Sequence, residues 1–320
     1  MERLGVVLST ATEAPPKEFV ALGRLAEEQG FDAILVNEGR GDALACSEAI
    51  ALHTSRIRVG TNIANIYFRH PFLAAMTAAT IAELSNGRLL LGFGVSHRPL
   101  LESLGVKMDQ PRHYMRHYVQ TVKKALQGES LGSFLRPRPS AYPVPVYVAS
   151  VTTETAEVGG ECGDGIMPFL PSRSYLTRLL AAAKSAAQRA GKDPAAVDCI
   201  VSIPTFLSED LEQARSAARY NLAFFAQLPF YRMQWRRCGF VDEMNALKEL
   251  WQRRGDRRAA AALVSDRMIE QVCVFGPPSM CKEQLAAFHE AGAAMPVIAV
   301  SPVNEERLAA TRKALQLLAP

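Results

Sequence analysis

Within the first hundred residues, short apolar runs alternate with amphipathic stretches four times. Residues 4–8, 33–36, 57–59 and 88–93 are rich in Leu, Val and Ile and read as buried strands. Between them, residues 15–30 carry Phe19, Val20, Leu22, Leu25 and Ala26 at helical spacing, with Gly30 as a stop. Residues 43–54 and 70–84 read as further helices. The latter has Pro71 just inside its start, where a missing N–H is not needed. Strand–helix alternation of this kind implies parallel strands joined by right-handed crossovers.

The cadence continues downstream. After an irregular excursion over 99–112 come a helix over 114–127 and a proline-rich surface loop over 134–145. Strands are expected at 146–149, 165–167, 197–205 and 297–301, and helices at 153–162, 172–190, 278–291 and 304–318. The block from 209 to about 271 is mostly helical and too long for one crossover. Eight strand–helix units in 320 residues predict an α/β fold, a closed (β/α)8 TIM barrel rather than an open sheet. The chain is expected to be one domain over 1–320, with a helical insertion after strand seven at about 209–271. In such folds ligands gather where strands end and helices begin. That directs attention to Ser9, Glu38, Asn62–Ala64 and Gly94–His97.

Composition narrows the class of function. The net charge of +4 is weak for this length and no basic stripe is interleaved with aromatics. An acidic small ligand is therefore expected rather than nucleic acid. The six cysteines have no C-x-x-C spacing, which argues for a reducing compartment and against a zinc site or disulfide framework. The apolar run at 4–8 is too short for a signal-peptide core, and nowhere are there eighteen consecutive apolar residues. A cytoplasmic protein with no membrane span is expected. His113 and His117 fall at i, i+4 without a third ligand and read as structural; His70 reads as a helix cap, and Cys46 and Met76 as core.

Several motifs occur in a telling order: Gly30-Phe31-Asp32, Ile57-Arg58-Val59-Gly60-Thr61, Arg69-His70-Pro71, Glu83-Leu84-Ser85-Asn86-Gly87-Arg88, Leu91-Gly92-Phe93-Gly94 and Gly163-Asp164-Gly165. The chain thereby resembles the bacterial luciferase-like flavin/F420-dependent oxidoreductase superfamily, and within it the methylenetetrahydromethanopterin-reductase-like branch. The resemblance implies a (β/α)8 barrel with a deazaflavin or flavin at the C-terminal strand ends. It implies a non-proline cis peptide at Asn62-Ile63, bulging toward the ring, with Ser9 and Ala64 as neighbouring contacts. Glu38 stands where relatives carry a carboxylate, and Gly94-Val95 would permit close backbone approach. Ala149-Ser150-Val151-Thr152-Thr153 would hold the cofactor phosphate at a helix start, a role compatible with Thr152 or Thr153 as a simple N-cap. Arg173 is a candidate counter-charge.

His97 falls where F420-dependent sugar-phosphate dehydrogenases carry a carboxylate, and an imidazole there would move a proton; the plainer alternative is a surface histidine. Two departures bear on the chemistry. Gly39 occupies the place where many relatives have a histidine, and Val95 that of an arginine that binds FMN phosphate in luciferase proper. The second tilts the expectation from FMN to F420; Arg98, Arg112, Arg116, Arg136 and Arg138 are either partners for its acidic tail or plain solvated residues. The expected function is F420-dependent hydride transfer to or from a small organic substrate, with Glu38 and His97 as catalytic candidates. The alternatives are an FMN-dependent monooxygenase served by a flavin reductase, and a non-catalytic flavin-binding barrel. A homodimer is expected, since relatives are commonly dimers. The aromatics Phe224, Phe225, Phe230, Tyr231 and Trp235 are either a substrate wall, the core of the insertion or a dimer contact.

Overall fold

The computed structural model describes residues 3–12, 14–133, 137–253 and 255–320. Arg136, and with it the start of the proline-rich loop, lies outside the described residues. The strands are β1 (Gly5–Ser9), β2 (Ala33–Asn37), β3 (Arg58–Asn65), β4 (Leu89–Gly94), β5 (Val146–Ala149), β6 (Gly165–Met167), β7 (Asp198–Leu207), β8 (Val274–Gly276) and β9 (Met295–Val300). All pair in parallel. The order β6-β5-β4-β3-β2-β1-β9-β7 closes on itself through Gly165↔Asp198 and Ile166↔Cys199, giving the eight-stranded barrel.

Helices α1 (Pro16–Glu28), α2 (Ala43–Leu52) and α3 (Pro71–Leu84) follow the first three strands, and α4 (Arg98–Ser103) and α5 (Pro111–Leu126) follow the fourth. Next come α6 (Thr153–Cys162) and α7 (Arg173–Arg189). The expected insertion after β7 is built of α8 (Leu211–Phe225), α9 (Pro229–Arg237), α10 (Val241–Gln252), α11 (Arg257–Ala262) and α12 (Asp266–Val272). Finally α13 (Pro278–Glu290) and α14 (Arg307–Leu317) follow β8 and β9.

The ninth strand was not expected. β7 runs two residues beyond the predicted 205, and its overhang pairs with β8 outside the ring through Thr205↔Val274, Phe206↔Phe275 and Leu207↔Gly276. Three residues are too few to show a period in sequence. A further correction concerns Met76, which is 44 % exposed rather than core. α3 is apolar around most of its circumference, so spacing alone does not reveal which face is inward. His70 does cap α3, its Nδ1 accepting the Phe72 N–H at 3.2 Å.

Two packed regions matter for the site. Inside the barrel, Ala33, Leu35, Leu90, Tyr147, Met167, Ile200, Met295 and Val297 form a core that Val7 and Ile63 join from above. Met167 reaches the barrel axis because Gly92 lies opposite; a Cβ there would stand 2.3 Å from the Met167 sulfur. Above the barrel, Trp235, Phe240, Met244 and Leu247 of the insertion pack with Phe206 and Phe275 into a second core.

Candidate functional site

Side chains along a strand point alternately into and out of a barrel. In β1, Val7 and Ser9 face inward, and so do Asn37 at the end of β2, Ala149 of β5 and Ala299 of β9. Each of these is half-exposed, while the outward-facing neighbours Leu8, Val36, Val148 and Val300 are buried. In a sheet covered on its outside by helices, that reversal shows that the upper interior is open to solvent. Beneath it, Val7 and Ile63 pack onto the axial core.

The β3 end forms one wall. The Asn62-Ile63 peptide is cis, at the position the resemblance implied, and the β3–β4 register shifts between Thr61 and Ala64. The Ile63 side chain lies against Gly94, where a Cβ would stand 2.5 Å from Ile63 Cδ1. Gly94 thus makes room for Ile63. Val95, next along, is half-exposed at the rim, while Ala64 is buried in the main core.

Glu38 does not hang free in the mouth. Its backbone N–H donates to the Ile63 carbonyl at 3.1 Å. The Asn65 N–H donates to its Oε2 at 2.6 Å, and Arg69 Nη2 donates to Oε1 at 2.6 Å. Its side chain is only 4 % exposed, and Arg69 also reaches Asp42 at 3.0 Å. Both carboxylate oxygens of Glu38, a catalytic candidate from the sequence, are thus engaged at the end of β3. The sequence reading missed this role for Asn65 and Arg69, although Arg69 stood in a quoted motif.

His97 N-caps α4 by its backbone position, with no side-chain capping bond. Its ring stacks on Phe230 of α9 (centroids 5.0 Å apart, planes at 19°) and meets the edge of Tyr231 at 6.2 Å. Burial pushes its pKa below the ordinary imidazole value, favouring the neutral ring. His97 Nδ1 is buried without a partner, as are Asn62 Nδ2 and Ser202 Oγ. Most buried polar atoms are hydrogen-bonded, so such orphans at a mouth mark where a ligand's polar groups belong. Ser202 is a polar interruption in the apolar run Ile200–Pro204, a signal that could have found it.

The turn after β5 is tightly self-bonded. Ser150 Oγ donates to the Val148 carbonyl at 3.0 Å, and Thr152 N-caps α6 in a reciprocal box with Thr155. Thr153 Oγ1 donates to Glu154 Oε2 at 3.3 Å, and Val151 packs against the insertion's core. The Arg237 guanidinium of α9 binds Glu154 at 2.9 and 3.3 Å and holds that carboxyl well down, to about 2. Arg173 sits at the start of α7, donating to the Glu270 carbonyl at 2.7 Å, with its guanidinium over the Phe288 ring. Its charge is thus engaged by α12 and α13. Of the arginines expected to meet an acidic tail, Arg116 is paired with Glu161, Arg138 with Glu83 and Arg98 with Glu102, while Arg112 is exposed.

α9 lies over the segments that follow β4, β5 and β6. Gln234 Nε2 donates to the Phe169 carbonyl at 2.9 Å and Trp235 Nε1 to the Leu170 carbonyl at 3.0 Å. Trp235 and Tyr231 belong to the insertion's core, whereas Phe230 is half-exposed beside His97 and Phe224 is exposed, facing Arg257. Among the described residues no helix is long and apolar enough to cross a membrane, and no cluster of His, Cys, Asp and Glu has metal-site geometry.

Comparison with known proteins agrees with this architecture. The luciferase-like monooxygenase family profile matches residues 3–295. The 5,10-methylenetetrahydromethanopterin reductase of Archaeoglobus fulgidus is 26 % identical over 317 residues, covering 92 % of this chain and 91 % of its own. The coenzyme F420-dependent tetrahydromethanopterin reductase of Methanopyrus kandleri superposes with a TM-score of 0.81 at 20 % identity, covering 99 % of this chain and 97 % of the other. The FMN-bound oxygenating component of the 3,6-diketocamphane monooxygenase of Pseudomonas putida gives 0.68 at 15 % identity, with 99 % and 96 % covered. With nearly its whole length matched, the chain belongs to the luciferase-like monooxygenase family.

Proposed function

We propose that this protein is an F420-dependent oxidoreductase acting on a small organic substrate. The observation that carries the reading is the open barrel mouth, where Asn62 Nδ2 and His97 Nδ1 are buried and unpartnered. Orphaned donors and acceptors beside a solvent-open well suit a polar-edged planar cofactor. Val95 in the place of luciferase's arginine, and the relative named as a methylenetetrahydromethanopterin reductase, favour the deazaflavin over FMN.

When bound, the deazaflavin would supply two-electron hydride chemistry. The protein's own part is positional. Glu38 and Arg69 hold the β3 bulge, with Ile63 seated against Gly94, so the floor of the site is set before anything binds. Ser9, Asn62, Ile63 and Ala149 would line the ring, and the turn from Ser150 to Thr153 would meet its phosphate at the start of α6. α9 limits water entry from above. A neutral His97 can hold or pass a proton through Nδ1.

Titration of the protein with F420 and with FMN, following cofactor fluorescence, tests the reading. F420 binding without FMN binding is expected. FMN binding alone would replace it with a monooxygenase fed by a flavin reductase, and binding of neither would leave a non-catalytic barrel. We also propose a homodimer. Leu52, Phe68, Leu73, Met76 and Leu84 are exposed on and around α2 and α3, which carry one charged residue each, Glu48 and Glu83. Sedimentation at micromolar concentration is expected to give twice the chain mass, and Met76→Lys to halve it.

A further inference from the structure

The cover over the mouth has a chemistry of its own. On α9, Phe230 and Gln234 lie one turn apart, as do Tyr231 and Trp235. The first row meets His97 through Phe230. The aromatic wall then runs from Phe230 to Tyr231 (4.3 Å between centroids), and from Tyr231 to Phe225 (5.1 Å) and Phe169 (5.9 Å). Phe169, Phe225, Phe230 and His97 are half-exposed, so the wall borders open space and is not sealed core.

Two polar atoms stand against it. His97 Nδ1 has no partner, and Gln234, fully buried, has spent its Nε2 on the Phe169 carbonyl and left Oε1 unpaired. Of the cations on these elements, Arg69 is matched in charge by Glu38 and Asp42, with its Nη1 left without a partner, and Arg237 is matched by Glu154. Arg98 meets Glu102 only in solvent at 3.8 Å, and Arg232 donates to the carbonyls of Ala226 and Gln227. A carboxylate or phosphate entering here would lose its hydration and find the Arg69 and Arg237 guanidiniums already engaged by carboxylates.

We infer that the slot between the barrel mouth and α9 selects an uncharged, ring-bearing carbonyl compound or its alcohol, its ring against Phe230 and its oxygen at His97 Nδ1. This substrate class rests on the proposed function, but it is read from a different wall of the site. Flat rings gain both area and favourable quadrupole geometry on such a wall, and a neutral oxygen satisfies the histidine without bringing a charge.

Ligand-observed NMR on the full chain, with and without bound F420 or FMN, tests it with acetophenone, ethylbenzene and benzoate as probes. Acetophenone is expected to bind about tenfold more tightly than benzoate and several-fold more tightly than ethylbenzene. Phe230→Ala, with Phe230→Leu as the milder variant, is expected to weaken acetophenone about tenfold while cofactor affinity stays unchanged. His97→Phe should erase the preference over ethylbenzene. Benzoate binding as tightly as acetophenone, or indifference to both Phe230 variants, overturns the inference. Uptake of acetophenone by a protein that binds neither cofactor breaks the proposed function and leaves the slot standing; cofactor binding without acetophenone uptake does the reverse.

Discussion

Between β2 and β4 the rim of the barrel is a lattice of charged hydrogen bonds; over the ends of β4 to β6, α9 rests on aromatic rings and two side-chain N–H donors. On the first side, Glu38 fastens the end of β3 through a backbone carbonyl, a backbone N–H and a buried guanidinium. On the second, Gln234 and Trp235 hold the carbonyls of Phe169 and Leu170, and Arg237 clips the far end to Glu154. Directional bonds with both partners desolvated fix geometry to tenths of an ångström, whereas ring contacts tolerate sliding. A site with one rigid polar wall and one adaptable apolar wall suits a fixed cofactor below and a variable substrate above.

If the two walls differ as described, damage to the first is far more costly. Glu38→Ala leaves Arg69 only the exposed Asp42 and strips the Asn65 N–H of its acceptor, a loss of about 2–4 kcal/mol. Urea denaturation should show that loss, and a change below about 1 kcal/mol would place the pair among ordinary surface bridges and erase the contrast. Gly94→Ala comes next. Its new methyl would stand 2.5 Å from Ile63, and overpacking of that kind costs about 1–3 kcal/mol. The same variant should weaken F420 binding, since Ile63 must move; unchanged stability would mean that Ile63 has another place to go.

Trp235→Phe probes the other wall. It leaves the Leu170 carbonyl without its indole donor, at a cost of about 1–2 kcal/mol for a neutral hydrogen bond. Thermal unfolding should register a small drop, with acetophenone binding altered more than cofactor binding. The opposite order would make α9 part of the cofactor's seat.

The same contrast governs what could be read without coordinates. The barrel was legible because eight parallel strands, buried on both faces, must be written as apolar runs at regular intervals. The Asn62-Ile63 position was legible only through resemblance, since nothing in the residues Thr61–Ala64 dictates a cis bond. Glu38 and Arg69 lie thirty-one positions apart, and no local pattern announces that such residues pair; a carboxylate at a strand end looks alike whether free or bridged. At Gly94 the sequence shows that a side chain is missing but not that Ile63 lies in its place. The short β8 fell below any periodic signal, and whether Phe230 or Trp235 would face the slot depended on how the insertion docks.

The gentlest contact holding the second wall in place is the pair between Arg237 on α9 and Glu154 on α6. With the folded carboxyl held at about 2 and an ordinary value near 4.5, the unfolded chain binds the proton more readily in between. Stability from the pair is therefore fully present above about pH 4.5 and disappears as the pH falls toward about 2. Both side chains are more than a third exposed, so solvent screening leaves about 1 kcal/mol or less. Arg237→Gln is expected to lower stability at pH 6 by that small amount and to unfold like the parent near pH 2.5, where the parent's carboxylate is becoming protonated. Urea midpoints at the two pH values measure it. An equal deficit at both would show that Arg237 holds α9 down by packing and not by its charge, and the apolar wall would then have no electrostatic tie to the barrel rim.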